Sequence, residues 1–152
     1  MLRWWRHALV TCALSLFPAC VRYQPPRDYP APDALSVNAS FDRTWGAVID
    51  RFALGNIPIK TIERASGIIV AEPLSVASAS SKKYADCGTQ GILNPPAQRA
   101  SYSVRVTGDS LRSAIRVAAS FGSPLDVYCR SKGVFETEFM TAIKAAAEKR
   151  SP

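Results

Sequence analysis

The stretch Ser101-Tyr102-Ser103-Val104-Arg105-Val106-Thr107-Gly108-Asp109-Ser110-Leu111-Arg112-Ser113-Ala114-Ile115-Arg116-Val117 sets the fold class of this 152-residue chain. Tyr102, Val104 and Val106 alternate with Ser101, Ser103 and Arg105, and Leu111, Ile115 and Val117 recur among Arg112 and Arg116. Successive side chains of a strand point to opposite faces, so the pattern predicts two strands, each with an apolar and a polar side. Gly108-Asp109 supplies the turn that joins them into an antiparallel hairpin. Such a sheet buries one face and leaves the other in water.

Two apolar stripes on either side of the hairpin provide the cover. Phe41, Trp45, Val48, Ile49 and Phe52 recur at helical spacing after Ser40, whose hydroxyl can accept from a free amide of the first turn, and Gly55-Asn56 ends this helix. The last helix is predicted from Gly133 to Lys149, capped by Ser131 or a neighbour, with Phe135, Phe139, Ile143 and Ala146 as its buried stripe. Glu136 and Glu138 near its start, and Lys144, Lys149 and Arg150 near its end, complement the helix dipole. Two carboxylates two residues apart on a helix do not face each other, which argues against an acid–base pair there.

Shorter strands complete the sheet. One is predicted around Ala34 to Ala39, and two more, Ile57 to Ile62 and Gly67 to Ala71, flank the turn Glu63-Arg64-Ala65-Ser66. Ser75 to Ala85 is small and polar and reads as a loop. Cys87-Gly88 opens a second irregular stretch that contains Asn94-Pro95-Pro96. The expectation is an α+β domain over 34–150, of order β-α-β-β-β-β-α. Its antiparallel sheet has roughly four to five strands, with two helices packed on one face.

Ahead of this domain, Met1 to Ala19 reads as a lipoprotein signal peptide. Arg3 and Arg6 precede an uncharged run from Ala8 to Phe17, and Phe17-Pro18-Ala19-Cys20 resembles a lipobox with a small residue before the cysteine. Cys20 is the predicted site of lipid attachment. The rival readings are an ordinary secretory cut, for which Ala13 and Ser15 are suitably small, and a buried helix or membrane span. The uncharged run is short of the about 20 residues that a span needs. Val21 follows the cysteine where an Asp would favour inner-membrane retention, so the expected location is the periplasmic side of a bacterial outer membrane. From Arg22 to Asp33 four prolines among twelve residues exclude helix and predict an extended tether. At roughly 3.1 Å per residue it reaches about 37 Å, enough to let the domain stand off the membrane.

Charge and cysteine usage narrow the function. Two of the 19 basic residues lie in the leader and all 12 acidic residues follow it, so the processed chain has a net charge of +5. Arg99, Arg105, Arg112 and Arg116 cluster in or near the hairpin, where a solvated sheet face and a surface for anionic headgroups, peptidoglycan or an acidic protein are the alternatives. No nucleic-acid recognition motif is present. The only histidine, His7, leaves with the leader, and with it go His-based acid–base chemistry and any His-ligated metal site. Removal of Cys12 with the leader and acylation of Cys20 leave Cys87 and Cys129, which in an oxidising compartment most simply form one disulfide. The loop so closed contributes about 4 kcal/mol in the chain-entropy model.

Ser40-Phe-Asp-Arg-Thr-Trp-Gly-Ala-Val-Ile-Asp50, Ile62 through Gly67-Ile-Ile-Val-Ala-Glu72, and Cys129-Arg-Ser-Lys-Gly-Val-Phe-Glu136 together resemble the BamC-like (NlpB-like) outer-membrane lipoproteins. The resemblance implies a helix-grip fold, in which a long helix lies across an antiparallel sheet. It also implies a non-enzymatic role, as a protein-binding accessory subunit of an outer-membrane or envelope assembly. A second expectation is a carrier or sensor of a small apolar ligand held between sheet and helix, although Trp45, Phe52, Phe135 and Phe139 are large enough to fill that space. A third is a histidine-free hydrolase built on Asp86, Asp109 or Asp126, for each of which a turn or loop role competes. None of these readings invokes a cofactor or a metal.

Overall fold

The computed structural model describes residues 23–90, 96–123 and 128–149. Residues 1–19, Cys20, Asn94, Pro95, Asp126 and Arg150 lie outside the described residues. In chain order the elements are β1 (Tyr23–Gln24), β2 (Leu35–Val37), α1 (Phe41–Leu54), β3 (Ile59–Glu63), β4 (Ile68–Ala71), β5 (Leu74–Ser75) and α2 (Ser78–Tyr84). There follow β6 (Ala85–Asp86), β7 (Thr89–Gln90), β8 (Arg99–Gly108), β9 (Ser113–Gly122), β10 (Tyr128–Ser131) and α3 (Val134–Lys149).

The hairpin β8–β9 is the spine. Its register runs without interruption from Arg99 opposite Gly122 to Gly108 opposite Ser113. The sheet has the order β3-β4-β8-β9-β10-β6, with β2 also on β9 and β5 also on β8, and every pairing is antiparallel. The class is α+β, as the pattern predicts. The sheet is larger than the four to five strands expected, because β5, β6 and β10 are two to four residues long and too short to show a period of two.

Alternation along the hairpin decides what is inside. Tyr102, Val104, Val106, Ile115 and Val117 are buried, while Arg105 and Arg116 are exposed. On the apolar side α1 buries Trp45, Val48 and Phe52, and α3 buries Phe139, Met140, Ile143 and Ala147. Phe52, Tyr102, Phe135 and Phe139 interlock with ring centroids 4.9–6.0 Å apart, the tilted and edge-on range that aromatic quadrupoles favour. A buried hydrogen bond of 2.7 Å between the Thr44 and Ser113 hydroxyls ties α1 to the sheet. Ser40 caps α1, accepting from the Arg43 amide at 3.4 Å. Asn56, with φ 47°, takes the left-handed conformation after the helix.

Three expectations need correction. The stretch read as a loop, Ser75 to Ala85, holds the end of β5, all of α2 and the start of β6. Local sequence does not favour this helix, and tertiary contacts hold it: Tyr84 meets Phe135 edge-on at 5.7 Å and Lys83 pairs with Glu138 at 2.6 Å. The buried stripe of α3 is shifted, since Met140 and Ala147 are buried and Phe135 and Ala146 only partly so. The Pro-rich segment is extended, yet it does not hang free. β1 pairs with β7, and Arg130 reaches Asp28 at 3.2 Å.

Glycines make room for that strap. Gly88 has φ +70°, and a Cβ on it would stand 2.2 Å from the Gln24 carbonyl oxygen. Gly133 has φ +75°, and a Cβ there would stand 3.1 Å from Pro32. The Cys87–Cys129 disulfide, with an S–S distance of 2.05 Å, staples the β6–β10 edge beside them.

If the hairpin's apolar side is the core, Phe52→Ala lowers the stability of the chain in urea unfolding by about 3–5 kcal/mol. Ile62→Ala, on the exposed edge strand, changes it by less than about 0.5 kcal/mol.

Candidate functional site

Of the predicted acid residues, Asp86 and Asp109 lie on different elements. Asp109 lies in the β8–β9 turn, where its Oδ1 accepts from the amides of Leu111 at 2.7 Å and Arg112 at 3.0 Å. These two bonds hold its carboxyl below the usual range and account for the residue as a turn former. Asp86 lies on β6, and Asp126 is outside the described residues. Among the described residues no group of three or more His, Cys, Asp or Glu could hold a metal ion, and no helix is long and apolar enough to cross a membrane.

Asp86 instead fastens the strap. Its Oδ2 accepts from the Arg27 amide and the Tyr29 hydroxyl, each at 3.1 Å, and its Oδ1 from the Gly88 amide at 2.9 Å. Burial alone would raise its pKa. The hydrogen bonds from Gly88, Arg27 and Tyr29, with the Lys132 charge, outweigh burial and hold it below the usual carboxylate value.

Two surfaces have the chemistry of recognition. The first is the outer face of the sheet, which no helix among the described residues covers. Arg105 and Arg116 stand directly opposite each other in the ladder, both exposed. Among the described residues no ion pair joins either one. Like charges in that position repel, at a cost in the few-tenths to about 1 kcal/mol range of cross-strand pairs.

The second is a recess of about 220 Å³ on the helix side, walled by Ile57, Leu74, Tyr84, Phe121 and Phe135 and backed by Tyr102. Tyr102 is 5% exposed, and its hydroxyl makes no hydrogen bond among the described residues. Burial pushes its pKa far above that of an ordinary phenol, despite the opposing Arg51 charge. Alternation had marked Tyr102 as core and nothing more; the recess depends on α2, which the sequence pattern does not reveal.

Glu136 and Glu138 separate as their spacing dictates. Glu138 accepts from the Tyr84 hydroxyl at 3.0 Å and pairs with Lys83. Glu136 is 4% exposed, with an unpartnered Oε2, and lines a notch of about 200 Å³ with Tyr29, Arg116 and Arg130. No protein-family model matches the chain, and no characterised protein matches it with significant similarity.

The depressed pKa of Asp86 means that its clamp is complete above the ordinary value of 3.8 and weakens as pH falls through the lower, folded value. Tryptic cleavage after Arg27 at pH 7 is expected to be several-fold faster in Asp86→Ala. In the parent chain the Arg27 amide keeps its protection from hydrogen exchange until pH drops well below 3.8. Equal cleavage of variant and parent would contradict the clamp.

Proposed function

We propose that the chain is an exported, lipid-anchored domain on the periplasmic side of a bacterial outer membrane that works without catalysis, by binding an acidic segment of another envelope protein. Kinship with BamC-like accessory lipoproteins belongs to the same proposal. The observation that carries it is the facing pair Arg105 and Arg116 on an uncovered sheet face. A partner supplying carboxylates converts this cross-strand repulsion into attraction. Guanidinium groups suit that purpose, because their planar fork matches a carboxylate in two hydrogen bonds.

The strap supports a membrane-apposed location. If Cys20 carries the lipid, only Val21 and Arg22 separate it from the paired Tyr23. At roughly 3.3–3.6 Å per residue, that leaves about 10 Å of free chain. The domain then sits at the headgroups in a restricted orientation and meets partners held in the same plane. A second reading, the holding of a small apolar ligand, has the recess at Tyr102 in its favour.

Photocrosslinking in intact envelopes, with a crosslinker placed at Ser103 on the outer face, tests the first reading. The expected result is a defined protein adduct that falls about tenfold or more in the double variant Arg105→Glu/Arg116→Glu and persists in Lys60→Glu on the edge strand. Adducts unchanged by the double reversal, or adducts with phospholipid alone, would overturn it.

A further inference from the structure

We propose that the acidic partner segment is gripped at a second point, Arg130 on β10, and that Asp28 of the strap is the internal carboxylate it displaces there. This rests on the reading of the outer sheet face as partner-binding, and it names the spacing of acidic groups that the face takes.

The pleat puts Arg130 on that face. Tyr128 stands opposite Gly122 and Cys129 opposite Phe121. Phe121 and Cys129 are buried, so Tyr128 and Arg130 share the outer side with Gly122, Ser120 and Arg116. Because β10 runs antiparallel to β9, Arg130 lies nearer to Arg116 than Tyr128 does. At roughly 3.4 Å per residue the two arginines are about 14 Å apart along the sheet, and both line one notch of about 200 Å³.

The floor between them is low. Ala118 and Ser120 on β9, and Ser103 and Ser101 opposite them on β8, are all short, and the Ser101 and Ser120 hydroxyls bond each other at 2.8 Å. A peptide backbone can therefore lie close to the sheet between the two basic points. An extended chain covers about 14 Å in roughly four residues, so the pattern this face reads is two acidic side chains about four residues apart in an extended segment.

Arg130 already holds a carboxylate. Its Nε lies 3.2 Å from Asp28 Oδ1, and both side chains are exposed. Among the described residues no other ion pair joins Arg130. An exposed pair of this kind contributes little net stability, so a partner carboxylate that engages the guanidinium fork in two hydrogen bonds displaces Asp28 at low cost. The guanidinium also lies over the Tyr128 ring, 5.3 Å from its centroid, a contact that takes up its face and not its N–H edge. Glu136 lines the same notch from the helix side, so a carboxylate placed deep in it would meet a like group; the partner's is held at the rim, by the two guanidinium groups.

Fluorescence anisotropy at low ionic strength, with the processed chain in phosphatidylcholine nanodiscs, tests the grip. The probes are two BODIPY-labelled, amidated pentapeptides of serine and glutamate, one with its two glutamates at the ends and one with them adjacent. The spaced peptide is expected to bind more tightly than its isomer. Arg130→Gln should weaken the spaced peptide about fivefold and leave the isomer unchanged, and Asp28→Asn, a gain that misfolding could not produce, should strengthen the spaced peptide about twofold. Arg105→Glu/Arg116→Glu should weaken both. Binding of neither peptide would overturn the outer-face reading and this inference with it, whereas binding that needs Arg105 and Arg116 but ignores the spacing, Arg130→Gln or Asp28→Asn would overturn this inference alone.

Discussion

The antiparallel ladder between β8 and β9 is the constraint from which the other features follow. Because its register is unbroken over ten residues of each strand, the pleat assigns every side chain of the hairpin to one of two faces. A slip by one residue would carry Val104 and Ile115 into water and Arg105 and Arg116 into the core. The shorter strands β4, β2, β5 and β10 then have a fixed template to pair with, and α1 and α3 have a single apolar surface to cover. The disulfide acts at the periphery, where β6 and β10 are too short to be held by backbone bonds alone.

The two faces of the ladder carry different recognition chemistry. On the helix side, close packing of Phe52, Tyr102 and Phe139 fills the space where a helix-grip cavity was one expectation. A recess instead lies toward β5 and α2, at the far end of the aromatic cluster. On the open side Arg105 and Arg116 face each other, and among the described residues no ion pair joins either one. Clamping of the N-terminal strap by Asp86 gives both surfaces a defined relation to the N-terminal end of the domain, which a free tether would not.

Much of this was legible in the sequence, and for identifiable reasons. The hairpin, α1 and α3 are long enough for their periods of two and 3.6 to show, and Ser40 and Asp109 behave as their side-chain chemistry dictates. Cys87 and Cys129 pair, as the reading of the chain as an exported protein expects. The features missed are those set by tertiary contact. Nothing within Ser78 to Tyr84 announces a helix, because Phe135 and Glu138, more than fifty residues away in sequence, hold it. The strap's prolines announce extension but not attachment, and the only hints of attachment are Gly88 and Gly133, glycines at which another segment passes closely. Tyr102 is legible as core, whereas the isolation of its hydroxyl is a property of the assembled fold.

Native-state hydrogen exchange of the intact chain tests the primacy of the hairpin most directly. Amides of residues 102–106 and 113–117 should exchange last and together, through global unfolding only, with β3 and α2 opening much earlier. Exchange of the hairpin amides at the rate of β3 or α2, or in separate steps for the two strands, would contradict the account.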